Sequence, residues 1–374
     1  MQRRLCWQLG LAGALGGTGL AWGQAGLASP QFERRPLRFP QDHGAHTHSR
    51  TEWWYLTGAL QGASGGLWGF QITFFRSRLP LALQQPQHPS GLAARHLVFA
   101  HAALSEVGSG RHVHAERLGR WNGHTQGPVV SVSADDTGLR LQGWALQRVA
   151  GPAAAPATYR GQWADAEQGA GLQFEALTTQ PLLLQGDGGW SRKGPQAQHA
   201  SFYYSQPQLQ VQAELTWQGR RQAVRGTAWL DHEWSESLLD PQAVGWDWMG
   251  MNLHDGSALT AFQLRRANGQ PLWAGGSLRR PGGQPQAFAA NAVQWRPQST
   301  WTSPRTRAVY PVSWQVDTPA GRHRIVTPVP DQEMAGALTG TVYWEGLSEL
   351  HDARGTPVGR GYLEMTGYAG PLRW

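Results

Sequence analysis

Arg50-Thr51-Glu52-Trp53-Trp54-Tyr55-Leu56-Thr57-Gly58 is the stretch on which the fold turns. Side chains on a strand alternate between faces. Trp53 and Tyr55 therefore share one side, and Glu52, Trp54 and Leu56 the other. Both sides carry bulky surface, so both must be covered, or one must enclose a cavity. A related pattern returns late in the chain: Gly245-Trp246-Asp247-Trp248-Met249-Gly250, shortly after Asp231-His232-Glu233-Trp234-Ser235. Two aromatic-plus-acid strands, one in each half, predict two similar barrels with aromatic, partly ionisable walls.

Outward from Glu52 the signals stay β. Residues 52–60 and 67–76 flank Gln61-Gly62-Ala63-Ser64-Gly65-Gly66 and predict a hairpin. Further strands are predicted at 96–104, 129–134, 139–146, 172–177, 202–204, 209–216 and 222–229. In the second half, 246–254, a turn at Asp255-Gly256, and 258–266 repeat the first hairpin. Strands at 293–296, 312–316, 322–328, 339–346 and 361–367 follow. Residues 80–87 read as a short turn or helix. Many short strands with regular turns indicate sandwiches or barrels, and closure removes exposed sheet edges. The expected organisation is a segment 24–45 forming an N-terminal arm, then domains at 46–225 and 226–374, with the boundary near Arg225.

The composition agrees. The chain has 374 residues, room for two domains, with 48 Gly, 24 Pro and 20 Trp. Gly and Pro punctuate turns, and each Trp needs a large buried surface and a partner for its N–H. The net charge of +7 includes Arg3 and Arg4, which leaves +5 elsewhere. The basic residues are scattered, without the stripe that a nucleic-acid surface needs. Lys193 is the single lysine.

Residues 1–23 read as a secretory signal. Arg3 and Arg4 form its positive end, and their pairing also allows a twin-arginine route. Leu5 to Leu20 is its apolar run, and Ala21-Trp22-Gly23 allows cleavage before Gln24. That run is too short and glycine-rich for a membrane span. Cys6, the one cysteine, lies inside it, so the mature protein is expected to lack a disulfide, a thiol nucleophile and a cysteine-based metal site. The expectation is a secreted, periplasmic protein.

Arg50-Thr51-Glu52-Trp53-Trp54-Tyr55, Asp231-His232-Glu233-Trp234-Ser235, Gly245-Trp246-Asp247-Trp248, Tyr343-Trp344-Glu345-Gly346 and Gly361-Tyr362-Leu363-Glu364-Met365-Thr366-Gly367-Tyr368 together resemble the AttH/carotenoid 1,2-hydratase family. The resemblance spans residues 37–374. It implies an all-β protein of two tandem lipocalin-like, calycin-type antiparallel barrels. It implies function less directly, since that family holds hydratases of isoprenoid and prenylated compounds, related pericyclases and many exported members. Some stand beside ABC-transporter components, which makes such components expected partners. Fold alone does not fix function.

Asp231-His232-Glu233-Trp234 is the first candidate for chemistry. His232 and Trp234 share one face of a strand, and Asp231 and Glu233 the other. With the first pair toward a cavity, His232 relays a proton and Trp234 offers a π face to developing positive charge. That suits cofactor-free hydration or isomerisation of an alkene in a hydrophobic molecule. The family resemblance carries the same His-x-Trp pair onto His232 and Trp234. Asp247, between Trp246 and Trp248, is the expected carboxylic acid with a raised pKa. The alternatives are that the tetrad is a buried ion-pair network, or that the protein binds an apolar ligand without turning it over.

Glu52 is a second catalytic candidate, or else a salt bridge to Arg50 or Arg76 that locks the first hairpin. His101 is an ionisable group in an apolar strand. Tyr343, Glu345, Tyr362 and Glu364 make alternating aromatic–acid strands near the C-terminus. Trp53, Trp54, Tyr55, Arg76, His101, Trp246, Trp248 and Tyr343 are the expected ligand-binding set. His43, His46 and His48 tempt a metal reading, yet their segment is loop-like and lacks a partner motif, so a solvated or hinge cluster and no metal are expected. Gly62-Ala63-Ser64-Gly65-Gly66 spells a nucleophile elbow, but it sits in a hairpin loop with no helix after it. A hydrolase reading thus has no nucleophile.

Overall fold

The computed structural model describes residues 33–80, 94–123, 127 and 129–370. The expected export signal with Cys6, and residues 81–87, lie outside the described residues. The first sheet holds β1 (Thr51–Gly62), β2 (Leu67–Arg78), β3 (His96–Glu106), β4 (Arg111–Trp121), β5 (Val130–Val132), β6 (Gly138–Leu141), β7 (Trp144–Val149), β8 (Thr158–Asp165), β9 (Ala170–Leu177), β10 (Leu183–Leu184), β11 (Trp190–Arg192), β12 (Ala200–Trp217) and β13 (Arg220–Ser235). The second holds β14 (Gly245–Leu253), β15 (Ala258–Arg265), β16 (Pro271–Arg279), β17 (Gln286–Ala287), β18 (Gln294–Thr302), β19 (Val309–Thr318), β20 (Gly321–Val326), β21 (Glu333–Ala335), β22 (Val342–His351) and β23 (Pro357–Thr366). All the pairings are antiparallel, as the all-β expectation required.

Both expected hairpins form, and each sheet is ordered on the same plan. Its first strand pairs with the next and also with its last: β1 lies between β2 and β13, and β14 between β15 and β23. The first sheet curls until β4 meets β5 and β6. Gly119 on β4 is pressed so close to Val130 and Leu141 that a Cβ there would come within 2.5 Å of Val130. The Gln142 side chain donates to the Leu118 carbonyl at 2.8 Å across the same seam. The fold is two tandem lipocalin-like curled sheets.

Local chemistry explains where the strands differ from the sequence reading. The expected strand at 139–146 is two strands, β6 and β7, because Gln142 (φ 49°) and Gly143 (φ 89°) form a tight turn that matches strand twist. The two expected strands at 202–204 and 209–216 are one long β12, with a bulge between Gln206 and Leu209 that absorbs Pro207. The chain changes sheet between Ser235 and Gly245; Arg225, the expected boundary, sits inside β13.

The parity of β1 assigns its two faces. Glu52, Trp54, Leu56 and Leu60 point into the first sheet and are fully or almost fully buried. Trp53, Tyr55 and Ala59 point at the second sheet, where they join Trp229, Trp246, Trp248, Phe262, Leu347 and Tyr362 in an apolar cluster. The sheets touch closely at Gly69, where a Cβ would come within 2.7 Å of Leu347. Burial of such aromatic surface stabilises by roughly 25 cal/mol per Å2, so the seam between the sheets is part of the core. The interior of the second sheet is a separate cluster around Met249, Met251, Trp314, Trp344 and Leu363.

Candidate functional site

The expected tetrad is split by its own alternation. On β13, His232 and Trp234 face into the first sheet, and Asp231 and Glu233 face the seam. The sequence reading turned His232 and Trp234 toward the cavity; the structure turns them away. The reason is register. Trp54 lies opposite His232 and Glu52 opposite Trp234, and this side is roofed by the arm through Phe39, His43 and His46.

Under that roof is a dense ionic network. Glu52 Oε1 accepts from His46 Nδ1 at 2.8 Å and from His232 Nε2 at 3.0 Å, and Oε2 accepts from Arg76 Nε at 2.8 Å. The His46 backbone N–H is 3.0 Å from both oxygens. Arg76 also donates to the carbonyls of His46 (2.8 Å) and Ser49 (3.1 Å). The far nitrogen of His46 reaches Asp42 at 2.9 Å, and Asp42 is held by Arg35. Trp234 stacks on His46 with centroids 3.6 Å apart, and Trp54 on His232 at 4.5 Å. Burial alone would raise the Glu52 carboxyl, but Arg76 and the two histidines hold it well below the usual range. Burial lowers His232 to about 4 despite Glu52. Burial would lower His46 too, yet its two carboxylate partners raise it.

The partners of each ring set the direction of its hydrogen bonds. Neutral His232 donates through Nε2 and accepts at Nδ1 from the Tyr204 hydroxyl, 3.2 Å away, while His43 donates to the same hydroxyl at 2.8 Å. Protonated His46 donates from both nitrogens. His43 and His46 are thus buried members of a closed network, not the solvated cluster expected from sequence. His46, Glu52 and His232 are the described residues whose ligand atoms could converge on a metal ion, all lying within 4.8 Å of one another. Arg76 already occupies the second oxygen of Glu52, and each contact is satisfied by a proton. The residues fit an ion-pair core better than a metal. The Glu52–Arg76 pair also locks the first hairpin, being directly opposed across β1 and β2.

Asp247 takes a similar place in the second sheet. It is fully buried away from the seam, accepts from Gln263 (2.8 Å) and Tyr368 (2.9 Å), and pairs with Arg265 at 2.9 Å. Burial raises its pKa as expected, with Arg265 opposing. The side chain points into that interior, whereas its neighbours Trp246 and Trp248 line the seam.

The seam contains the chamber. About 90 Å3 of free space is lined by Trp53, Tyr55, Tyr203, Trp246, Trp248 and Tyr343, with Phe75, Phe262 and Leu264 adding apolar surface. Of the expected ligand-binding set, Trp53, Tyr55, Trp246, Trp248 and Tyr343 line it; Trp54 and Arg76 belong to the ionic network. His101 stands behind the wall, its Nδ1 2.8 Å from the Tyr343 hydroxyl, and burial drives it down to about 3.

Four carboxyls enter this apolar space: Asp231, Glu233, Glu345 and Glu364. Glu233 is paired with the ammonium of Lys193, which also lies 4.6 Å over the face of Trp53. Asp231 accepts from Tyr203 (2.8 Å), Ser205 (2.5 Å) and Trp229 (2.7 Å), yet burial outweighs these donors and lifts it to about 7. Glu345 and Glu364 are direct cross-strand partners on β22 and β23, and Trp248 is the partner of Glu364 on its other side. Opposed residues on such strands lie about 5 Å apart. Two carboxylates so placed in apolar surroundings cannot both ionise. Burial and Glu364 push Glu345 well above the usual range, and burial lifts Glu364 to about 7. One Glu345 oxygen has no hydrogen-bond partner. The sequence reading noticed the Tyr343/Glu345 and Tyr362/Glu364 alternation but left both acids out of its site. Their pairing depends on the register of β22 with β23, which no local pattern encodes.

The chamber is therefore an apolar aromatic pocket in which burial raises the carboxyls of Asp231, Glu345 and Glu364. The AttH-like family profile matches residues 30–368. A crystal structure of a Nitrosomonas europaea protein assigned to AttH is 41% identical, with a TM-score of 0.80, covering 89% of this chain and 98% of its own. Kievitone hydratase from Nectria haematococca shares the fold at 13% identity, with a TM-score of 0.67 over 90% of this chain and 94% of its own. Among curated proteins none matches the chain in sequence. The chain belongs to the AttH-like family.

Proposed function

We propose that the seam chamber performs cofactor-free acid–base chemistry on an apolar small molecule, adding water across a double bond or moving it. The observation that carries this reading is the opposed Glu345–Glu364 pair in an aromatic chamber. Glu345, kept protonated, gives its proton to one alkene carbon as the π electrons form the new C–H bond. The cation left on the other carbon lies among Trp53, Trp246 and Trp248, whose ring faces stabilise positive charge by roughly 0.5–2 kcal/mol each. Water adds there and loses a proton to the ionised member of the pair. Loss of a neighbouring C–H proton to the same carboxylate gives the isomer instead. That kievitone hydratase has this fold agrees with the reading.

The second reading is a carrier for an apolar molecule, with envelope transporter components as partners; the aromatic lining of the chamber suits it as well. Either role is proposed for an exported protein, checked by mass spectrometry of the mature N-terminus. The deciding experiment supplies host lipid and isoprenoid extract in oxygen-18 water. A labelled water adduct that disappears in Glu345→Gln supports the enzyme. An unmodified lipid, bound alike by wild type and variant, supports the carrier and removes the acid pair from any chemistry.

A further inference from the structure

Behind the chamber wall lies a second hollow of about 550 Å3. Ser191, Tyr203, Trp248 and Phe262 belong to the walls of both spaces. The two differ in charge. The chamber holds four carboxyls against Lys193, whereas the hollow is lined by Arg34 and Arg192 against Asp187. Short β11 sets this division, because Arg192 faces the hollow and the next residue, Lys193, the chamber.

Arg192 is built to receive an anion. Its guanidinium lies 4.4 Å over the ring of Trp273, which fixes its plane. One of its terminal nitrogens donates to the carbonyls of Gly194 and Pro195, while its Nε has no partner. Arg34 is committed to Asp187 at 2.5 Å. A guanidinium stacked on an aromatic shelf keeps its donors pre-aligned for a carboxylate or phosphate.

We propose that the hollow holds the anionic end of an elongated single-chain apolar substrate, so that the ligand class is an anionic amphiphile. This rests on the reading that the chamber takes an apolar molecule. The chamber offers the anion no free cation, since Lys193 is paired with Glu233, whereas Arg192 attracts it, so the molecule enters in one orientation. Its body passes along Tyr203, Trp248 and Phe262, which line both spaces, and its double bond comes to the Glu345–Glu364 pair. The polar end thus sets which bond reacts.

The test is fluorescence titration with cis-parinaric acid and its methyl ester, followed by displacement with oleate, lysophosphatidate and methyl oleate. Wild type should bind the acid about tenfold tighter than the ester, the size of one charge-assisted hydrogen bond. Arg192→Gln should bring the acid to the ester's level while the ester is unaffected, which also shows that the variant is folded. Arg192→Lys should keep part of the preference. Stronger displacement by oleate identifies a carboxylate end, and by lysophosphatidate a phosphate end. Equal binding of acid and ester, or a preference that survives Arg192→Gln, overturns the proposal. Turnover is measured in parallel in wild type and in Glu345→Gln. Loss of turnover in that variant without any acid preference in wild type would retain the chemistry and discard the anion site.

Discussion

Glu364→Gln should stabilise this protein at alkaline pH and change it little at acid pH. Glu364 is half-buried opposite Glu345, and desolvation in the chamber pushes its carboxyl from the 4.5 of a free glutamate to about 7. Below pH 4.5 the folded and unfolded chains both carry the proton, so folding gains and loses nothing. Between 4.5 and 7 the unfolded chain ionises first and draws the equilibrium toward itself. Above 7 the difference is constant. At about 1.4 kcal/mol per unit, the shift removes about 3 kcal/mol of stability by pH 8. Glutamine keeps the shape and carries no charge at any pH, so it abolishes this loss. Urea denaturation of wild type and variant at pH 4.5 and pH 8 measures it. The gain on substitution should be about 3 kcal/mol larger at pH 8 than at pH 4.5. Relief of repulsion from Glu233 and Asp231 acts in the same direction. Equal effects at the two pH values would mean that Glu364 is hydrated or already neutralised, and the acid-pair argument would fall with it. Turnover should vanish in the same variant despite its greater stability.

The remaining expectations concern the ionic network. His232→Ala should lose about 3 kcal/mol of stability, because Glu52 loses a donor and Trp54 its stacking partner, yet keep its affinity for methyl parinarate. Lost affinity at unchanged stability would return His232 to the ligand site. Arg76→Met should cost about 3–5 kcal/mol near neutral pH by stranding a buried carboxylate. Glu52 is held below its unfolded pKa, so its contribution exists at neutral pH and is lost on acidification; the gap between wild type and Arg76→Met should narrow as pH falls. Dialysis against EDTA should leave the melting temperature unchanged, because protons complete the His46–Glu52–His232 cluster. A fall would place an ion there.

Two groups of charged residues thus perform different tasks, one inside the first sheet and one at the seam. Glu52 and Arg76 use full burial to fix the first hairpin and anchor the arm. Asp231 and Glu364 use burial to keep protons near neutral pH. The difference lies in the company each keeps: an arginine in contact in the first case, other carboxyls and aromatic rings in the second. A buried acid with no cation beside it is destabilising, and it persists where function uses it.

The sequence by itself determined the β class, the two hairpins led by Glu52 and Trp246, the repeat of one plan in both halves, and the division of each aromatic strand into two covered faces. Those properties are local: side chains alternate with a period of two, and turns need particular residues. Parity also grouped Trp53 with Tyr55, and His232 with Trp234. It could not say which group meets the cavity, since either choice satisfies the same alternation. The tertiary structure decided that, by laying the arm through His43 and His46 over one face and the second sheet against the other. It alone brought Glu345 opposite Glu364, and placed Lys193 and Arg192 on two sides of one wall. The physical reason is that a chamber between two sheets is assembled from strands distant in sequence. The pKa values that matter there are set by burial and by neighbours across the seam, which no single stretch of the chain contains.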